Sequence, residues 1–148
     1  LGGQARGAYA TFHGRTPMDG LKRMASLGVN GDNLKAIDVI ISQRRMLDIH
    51  LNETRKLVSL SIVDKSKDVL RDASAVVEIY SYDVRTNKIS GKNLKYGINF
   101  LATALSTNRE DIQNELAVRK NMLNKLSNKR LLFVDEFKQI QDTIIDGN

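Results

Sequence analysis

The feature that most constrains this chain is an apolar stripe in its C-terminal third. Ile112, Leu116, Arg119, Leu123, Leu126, Arg130, Phe133, Phe137, Ile140 and Ile144 follow one another by alternating steps of four and three residues. Eight of these ten positions are apolar, and no glycine or proline occurs between Ser106 and Gly147. Only a helix collects that spacing onto one face. Thr107 precedes Glu110 by three residues, the spacing of a capping box, and Glu110 and Asp111 suit the positive end of the helix dipole. The pattern predicts a helix from about 108 to 145, about 55 Å long at 1.5 Å per residue. A rod of that length must project, or lie along a partner as long as itself.

A second long element is expected upstream. From Asp32 to Ser90 the chain has neither glycine nor proline, and Asn30 and Asp32 offer capping oxygens on either side of Gly31. Ile37, Ile40, Leu47, Leu51 and Val58 again alternate by threes and fours if Arg44 and Thr54 fill the remaining positions. The phase slips between Val58 and Ile62. Asp64, Lys65, Lys67, Asp68, Arg71 and Asp72 mix signs as an exposed helical face does. This predicts a helix from about 33 to the low seventies. Ala75–Val84 is β-branched and aromatic, Arg85–Lys88 reads as a turn, and Gly91 closes a small hairpin. Lys95–Leu105 reads as a short helix.

Residues 1–31 contain seven glycines and the single proline, Pro17, and read as a flexible arm in which Met18–Leu27 forms at most a short helix. The expected fold is therefore mainly α: two long antiparallel heptad helices forming a coiled coil, a β-hairpin and short-helix insertion whose β-rich part is at about 75–91, and the arm. The expected division is an arm at 1–31 and an elongated helical domain at 32–148.

Composition limits the chemistry. The 148 residues are 41% hydrophobic and 27% charged, too apolar for a disordered chain and too polar for a membrane one. No apolar run approaches the roughly 20 residues of a bilayer span, so no transmembrane segment is expected, and Leu1–Gly20 lacks the apolar stretch of a secretory signal. Cysteine is absent, which excludes disulfides, thiol nucleophiles and cysteine-ligated metals. The two histidines, His13 and His50, are far apart in sequence. Asp135–Glu136 and Glu110–Asp111 are adjacent pairs, and neighbours on a helix point about 100° apart. Gly28 and Gly31 fit no phosphate-cradling loop. No catalytic residue, metal site or cofactor is expected, and the chain reads as non-enzymatic.

The net charge of +6 admits a polyanionic partner. Lys88, Lys92 and Lys95, interleaved with Tyr80, Tyr82, Tyr96 and Phe100, could contact an anion such as single-stranded nucleic acid, or form an ordinary solvated face. The last 43 residues balance seven basic against seven acidic side chains. Arg44, Arg119 and Arg130 occupy seam positions where an apolar residue is expected. A buried unpaired guanidinium is costly, so each covers a seam edge or fixes register against another subunit.

Two stretches, NLKAIDVIISQRRMLDIHLNETRKL (33–57) and ALSTNREDIQNELAVRKNMLNKLSNKRLLFVDEFKQIQDTIID (104–146), together with DVRTNKISGKNL (83–94) between them, resemble the needle-tip and filament (translocator) proteins of type III secretion systems. The resemblance implies terminal helices paired around a variable middle, self-association through the last helix, and partnership with other apparatus subunits or a chaperone. It also implies a place in a secreted apparatus; a virion or tail subunit is the neighbouring structural reading, and without either the expected place is cytoplasmic.

Overall fold

A computed structural model of the chain describes residues 7–47 and 50–128. The chain divides into two compact units, Leu1–Gly97 and Ile98–Asn148.

The first unit begins with helix α1, Pro17–Ser26, and the single-turn α2, Gly31–Leu34. Local chemistry accounts for both starts. The Thr16 hydroxyl accepts from the Asp19 amide at 3.1 Å, and Pro17 needs no amide partner in the first turn. The Asn30 side chain accepts from the Asn33 amide at 2.7 Å. Gly28, at φ +97°, takes a left-handed conformation that a side chain would strain. Four strands follow as an antiparallel meander in the order β1 (Val39–Leu47), β2 (Glu53–Val63), β3 (Val76–Asp83) and β4 (Lys88–Gly91). Leu21, Leu34, Val63, Val69 and Ala75 form the buried core, flanked by Met24, Ile37, Ile40, Leu70 and Val76. Helix α3, Leu94–Ala104, runs across the unit boundary, and α4, Arg109–Asn128, lies in the second unit.

This α–β fold overturns the expected mainly-α coiled coil. The segment read as a first long helix is the β1–β2 hairpin and the loop after it. The reason lies in residue type. Val39, Ile40 and Ile41 are consecutive β-branched residues, and Val58, Leu60 and Ile62 alternate with Ser59 and Ser61, which favours a pleated strand over a helix. The hairpin turns without glycine or proline, and Leu51 beside the turn takes φ +62°. One resemblance-bearing stretch, residues 33–57, therefore forms two strands.

The alternating charges at 64–72 lie on a loop rather than a helix. Asp64 accepts from the Ser66 amide at 3.1 Å, Asp68 from Leu70 at 3.0 Å, and Asp72 from Ser74 at 2.8 Å. Each aspartate satisfies the backbone two residues on, which competes directly with helical hydrogen bonding. Within the stretch 1–31 read as an arm, residues 17–26 form helix α1, whose Leu21 is among the most deeply buried side chains of the core.

Two bulges bend the sheet. Ser42 faces Ser59 while Gln43 faces Leu57, leaving Val58 extra on β2. Leu60 faces Tyr80 while Ser61 faces Glu78, leaving Ile79 extra on β3. Ile79 is buried, and Gly97 of α3 approaches it: a Cβ built on Gly97 would stand 3.1 Å from Ile79 Cγ2.

Candidate functional site

Two solvent-facing features stand out from the residues upward: the stripe on α4 and the outer edge of β1.

Helix α4 starts one residue later than the capping-box reading placed it. The Asn108 side chain accepts from the Asp111 amide at 2.9 Å, and its amide group donates back to the Asp111 carboxylate at 2.6 Å. The Thr107 hydroxyl donates to the same carboxylate at 2.8 Å. Asp111 therefore takes the role expected of Glu110. The open cleft there, lined by Asn99, Thr103, Thr107, Asn108 and Arg109 among others, holds a helix end already served by the chain's own carboxylate.

Successive residues of a helix turn about 100°, so Ile112, Leu116, Arg119 and Leu123 share one stripe. Ile112 is buried, but Leu116 is 46% exposed and Leu123 59% exposed. Arg119 is no unpaired seam cation, because its guanidinium meets Glu115 at 2.7 Å one turn back. The side chain of Leu126, and Arg130, Phe133, Phe137, Ile140 and Ile144, lie outside the described residues.

β1 is an edge strand. Its inner side pairs with β2 from Val39↔Ile62 to Leu47↔Glu53. Its outer side has no strand beside it among the described residues. Val39, Ile41 and Leu47, which share one face of this strand, are 43, 59 and 58% exposed. Sequence reasoning missed this edge because it assigned the segment to a helix; the Val39–Ile41 run was the available signal.

Arg44 lies on β1, not on a helix, and its guanidinium donates to the Arg15 carbonyl at 3.1 Å. It faces Lys56 across the hairpin, and Arg45 faces Arg55. Directly opposed like charges destabilise a sheet. Glu53 offsets one of these pairs, at 2.9 Å from Arg45 and 3.9 Å from Arg55. Lys56 donates to Asn87 at 2.6 Å and lies over the Tyr82 ring, whose hydroxyl reaches the same Asn87 oxygen at 2.6 Å.

The three lysines read as an anion contact fall on different elements. Lys88 opens β4 opposite Asp83, Lys92 is paired with Glu78 at 2.6 Å, and Lys95 lies in the first turn of α3. Of the three, Lys92 is held by a carboxylate, while the carboxylate of Asp83 opposite Lys88 meets Arg85 at 3.8 Å, and lysines scattered over three elements suit a solvated face.

One titratable pair is shifted in both partners. Hydrogen bonds from Ser66, with Lys67 and the Tyr96 hydroxyl assisting, hold the Asp64 carboxyl below its usual range. Burial raises the Tyr96 phenol, and the Asp64 carboxylate beside it adds to the rise. The pair ties the loop after β2 to the start of α3. Among the described residues no three His, Asp or Glu side chains gather as a metal site would require, and no helix is long and apolar enough to cross a membrane. No protein-family model matches the chain, and no curated protein matches it.

Proposed function

We propose that this chain is a structural assembly subunit that self-associates through the apolar stripe of α4. The observation that carries the reading is the exposure of Leu116 and Leu123 on a twenty-residue helix whose buried anchor is Ile112. Helices of that length draw most of their stability in proteins from packing of an apolar face. Outside Ile112 and the half-buried Met122, the described side chains of α4 are exposed. Association would cover the leucines and supply the missing contact.

Two sequence features support a second copy as the partner. The stripe continues at the same spacing through Leu126, Arg130, Phe133, Phe137, Ile140 and Ile144, apolar at all but Arg130, and the seven-to-seven charge balance of residues 106–148 lets like segments approach without net repulsion. Pairing of the expected heptad helices within one chain has no part in this reading. A filament or tip subunit of a secretion apparatus is the form suggested by the sequence resemblance.

Sedimentation velocity across a concentration series tests the proposal. Oligomers that Leu123→Asp converts to monomers, with the circular dichroism of the sheet retained, support it. A monomer at every concentration overturns it.

A further inference from the structure

We propose that the outer edge of β1 pairs with the same edge of a second copy, joining two four-stranded sheets into one antiparallel sheet of eight strands. This contact is separate from the α4 stripe and stands whether or not that stripe associates.

The argument begins with the edge itself. Every other residue of an edge strand turns its N–H and C=O away from its single neighbour. A long edge carrying apolar side chains is a template for another strand, and proteins usually blunt it with proline, a bulge, shortness or charged side chains. Of these β1 has only the charges of Arg44 and Arg45, which leave its two apolar ends uncovered. It is nine residues long, contains no proline, and the bulge beside it inserts its extra residue, Val58, into β2 rather than β1. The opposite edge, β4, is four residues long and is blunted by that shortness.

The sequence of β1, VIISQRRML, then selects the occupant. In an antiparallel dimer about a two-fold axis, residues with outward backbone groups must face one another, so only registers centred on a residue are allowed. Centring on Gln43 brings all nine residues into register. Leu47 then faces Val39 of the second copy, Met46 faces Ile40, Arg45 faces Ile41, and Arg44 faces Ser42. Apolar ends meet apolar ends, and no arginine stands opposite an arginine. Centring on Arg44 or on Arg45 instead sets like charges directly opposite, which is unfavourable. The self-complementary register is thus also the longest. Its one unfavourable feature is diagonal, Arg44 against its own copy, and ions screen such repulsion. Added salt should therefore tighten this dimer, where it would loosen a complex with a polyanion.

Because the chain has no cysteine, a single introduced thiol reports the register. Gln43 sits on the proposed axis, so two copies of Gln43→Cys would have Cα atoms about 4.5 or 5.5 Å apart, within the range of about 4.4–6.8 Å that a disulfide spans. Mild oxidation should double the mass of this variant and leave Thr86→Cys, in the exposed β3–β4 turn, essentially monomeric. Adding Ile41→Lys to Gln43→Cys sets a lysine opposite Arg45 of the second copy and should abolish the cross-link. Leu123→Asp in the same background should leave it intact, which separates this contact from that of α4. Reduced Gln43→Cys must match the parent in circular dichroism and urea midpoint. If the folded variant stays monomeric on oxidation, or cross-links no faster than Thr86→Cys, the proposal fails.

Discussion

Replacing Gly97 by alanine sets two effects of similar size against each other. Gly97 is the fourth residue of α3, and Gly→Ala within a helix is worth up to about 0.8–1.0 kcal/mol. Position in the first turn reduces that gain to roughly half by the same reasoning. Against it, the new methyl would lie 3.1 Å from Ile79 Cγ2, 3.6 Å from Cδ1 and 3.7 Å from Cγ1. Carbon pairs prefer about 3.5–4.0 Å, so the first contact is short by several tenths of an ångström. Ile79 cannot easily yield. It is β-branched, 4% exposed, and is the extra residue of a β-bulge. Overpacking of this kind costs about 1–3 kcal/mol, so the net expectation is destabilisation by about 1 kcal/mol. Urea unfolding followed by far-ultraviolet circular dichroism measures it, and a double-mutant cycle isolates the contact. Ile79→Ala alone should cost about 2–5 kcal/mol, and clearly less when Gly97→Ala supplies a methyl to the space it leaves. A Gly97→Ala protein more stable than its parent, with no coupling to Ile79, would refute the reasoning, because it would mean that α3 is not held against the bulge.

Other outcomes follow from the same contacts. The lowered carboxyls of Asp64, Asp68 and Asp72 stabilise the fold above the ordinary value of 3.8 and lose that contribution as pH falls through their depressed folded values. Acid titration of the urea midpoint should accordingly steepen below about pH 4, and less so in Asp64→Asn. The raised Tyr96 phenol works in the opposite direction: its contribution is complete below the ordinary value of 10.0 and is lost as pH rises through the folded value, so Tyr96→Phe should resist alkali better. Asn108→Ala removes the cap of α4 and should lower its helical signal at a cost of about 1 kcal/mol. Leu34→Ala opens the core and should cost about 2–5 kcal/mol, whereas Leu116→Ala on the exposed stripe should stay within about 0.5 kcal/mol under dilute monomeric conditions. Chemical denaturation of the two alanine variants side by side tests that contrast.

What could be read in advance was chemistry confined to a few neighbouring residues. The turn after Asp83, where Asn87 adopts φ +53°, the β-branched run at 76–84, and the start of a polar helix near Thr107 are each set by side chains within one turn of the backbone they serve. The error at 33–72 came from a spacing that two structures share. Apolar residues at threes and fours satisfy a helix, yet a hairpin whose strands alternate can place apolar residues at the same positions. The β-branched run Val39–Ile41 was the one signal within the sequence, and the pairing of Val39 with Ile62 across the chain, a contact that no local window contains, completes the choice. The aspartates at 64, 68 and 72 misled for a related reason: their four-residue interval suits a helical face, but each carboxylate spends its hydrogen bonds on the backbone just ahead.

The candidate surfaces divide in the same way. The sequence alone determined that α4 carries an apolar stripe, because helical geometry converts spacing into a face without help from the rest of the molecule. It determined equally that no thiol chemistry is available. Exposure of Leu116 and Leu123, and the status of β1 as an edge strand among the described residues, were decided by the tertiary structure. Burial and edge position depend on what lies alongside a residue in space, and strand order is a long-range choice made by packing Leu21, Leu34, Val63, Val69 and Ala75 into one core.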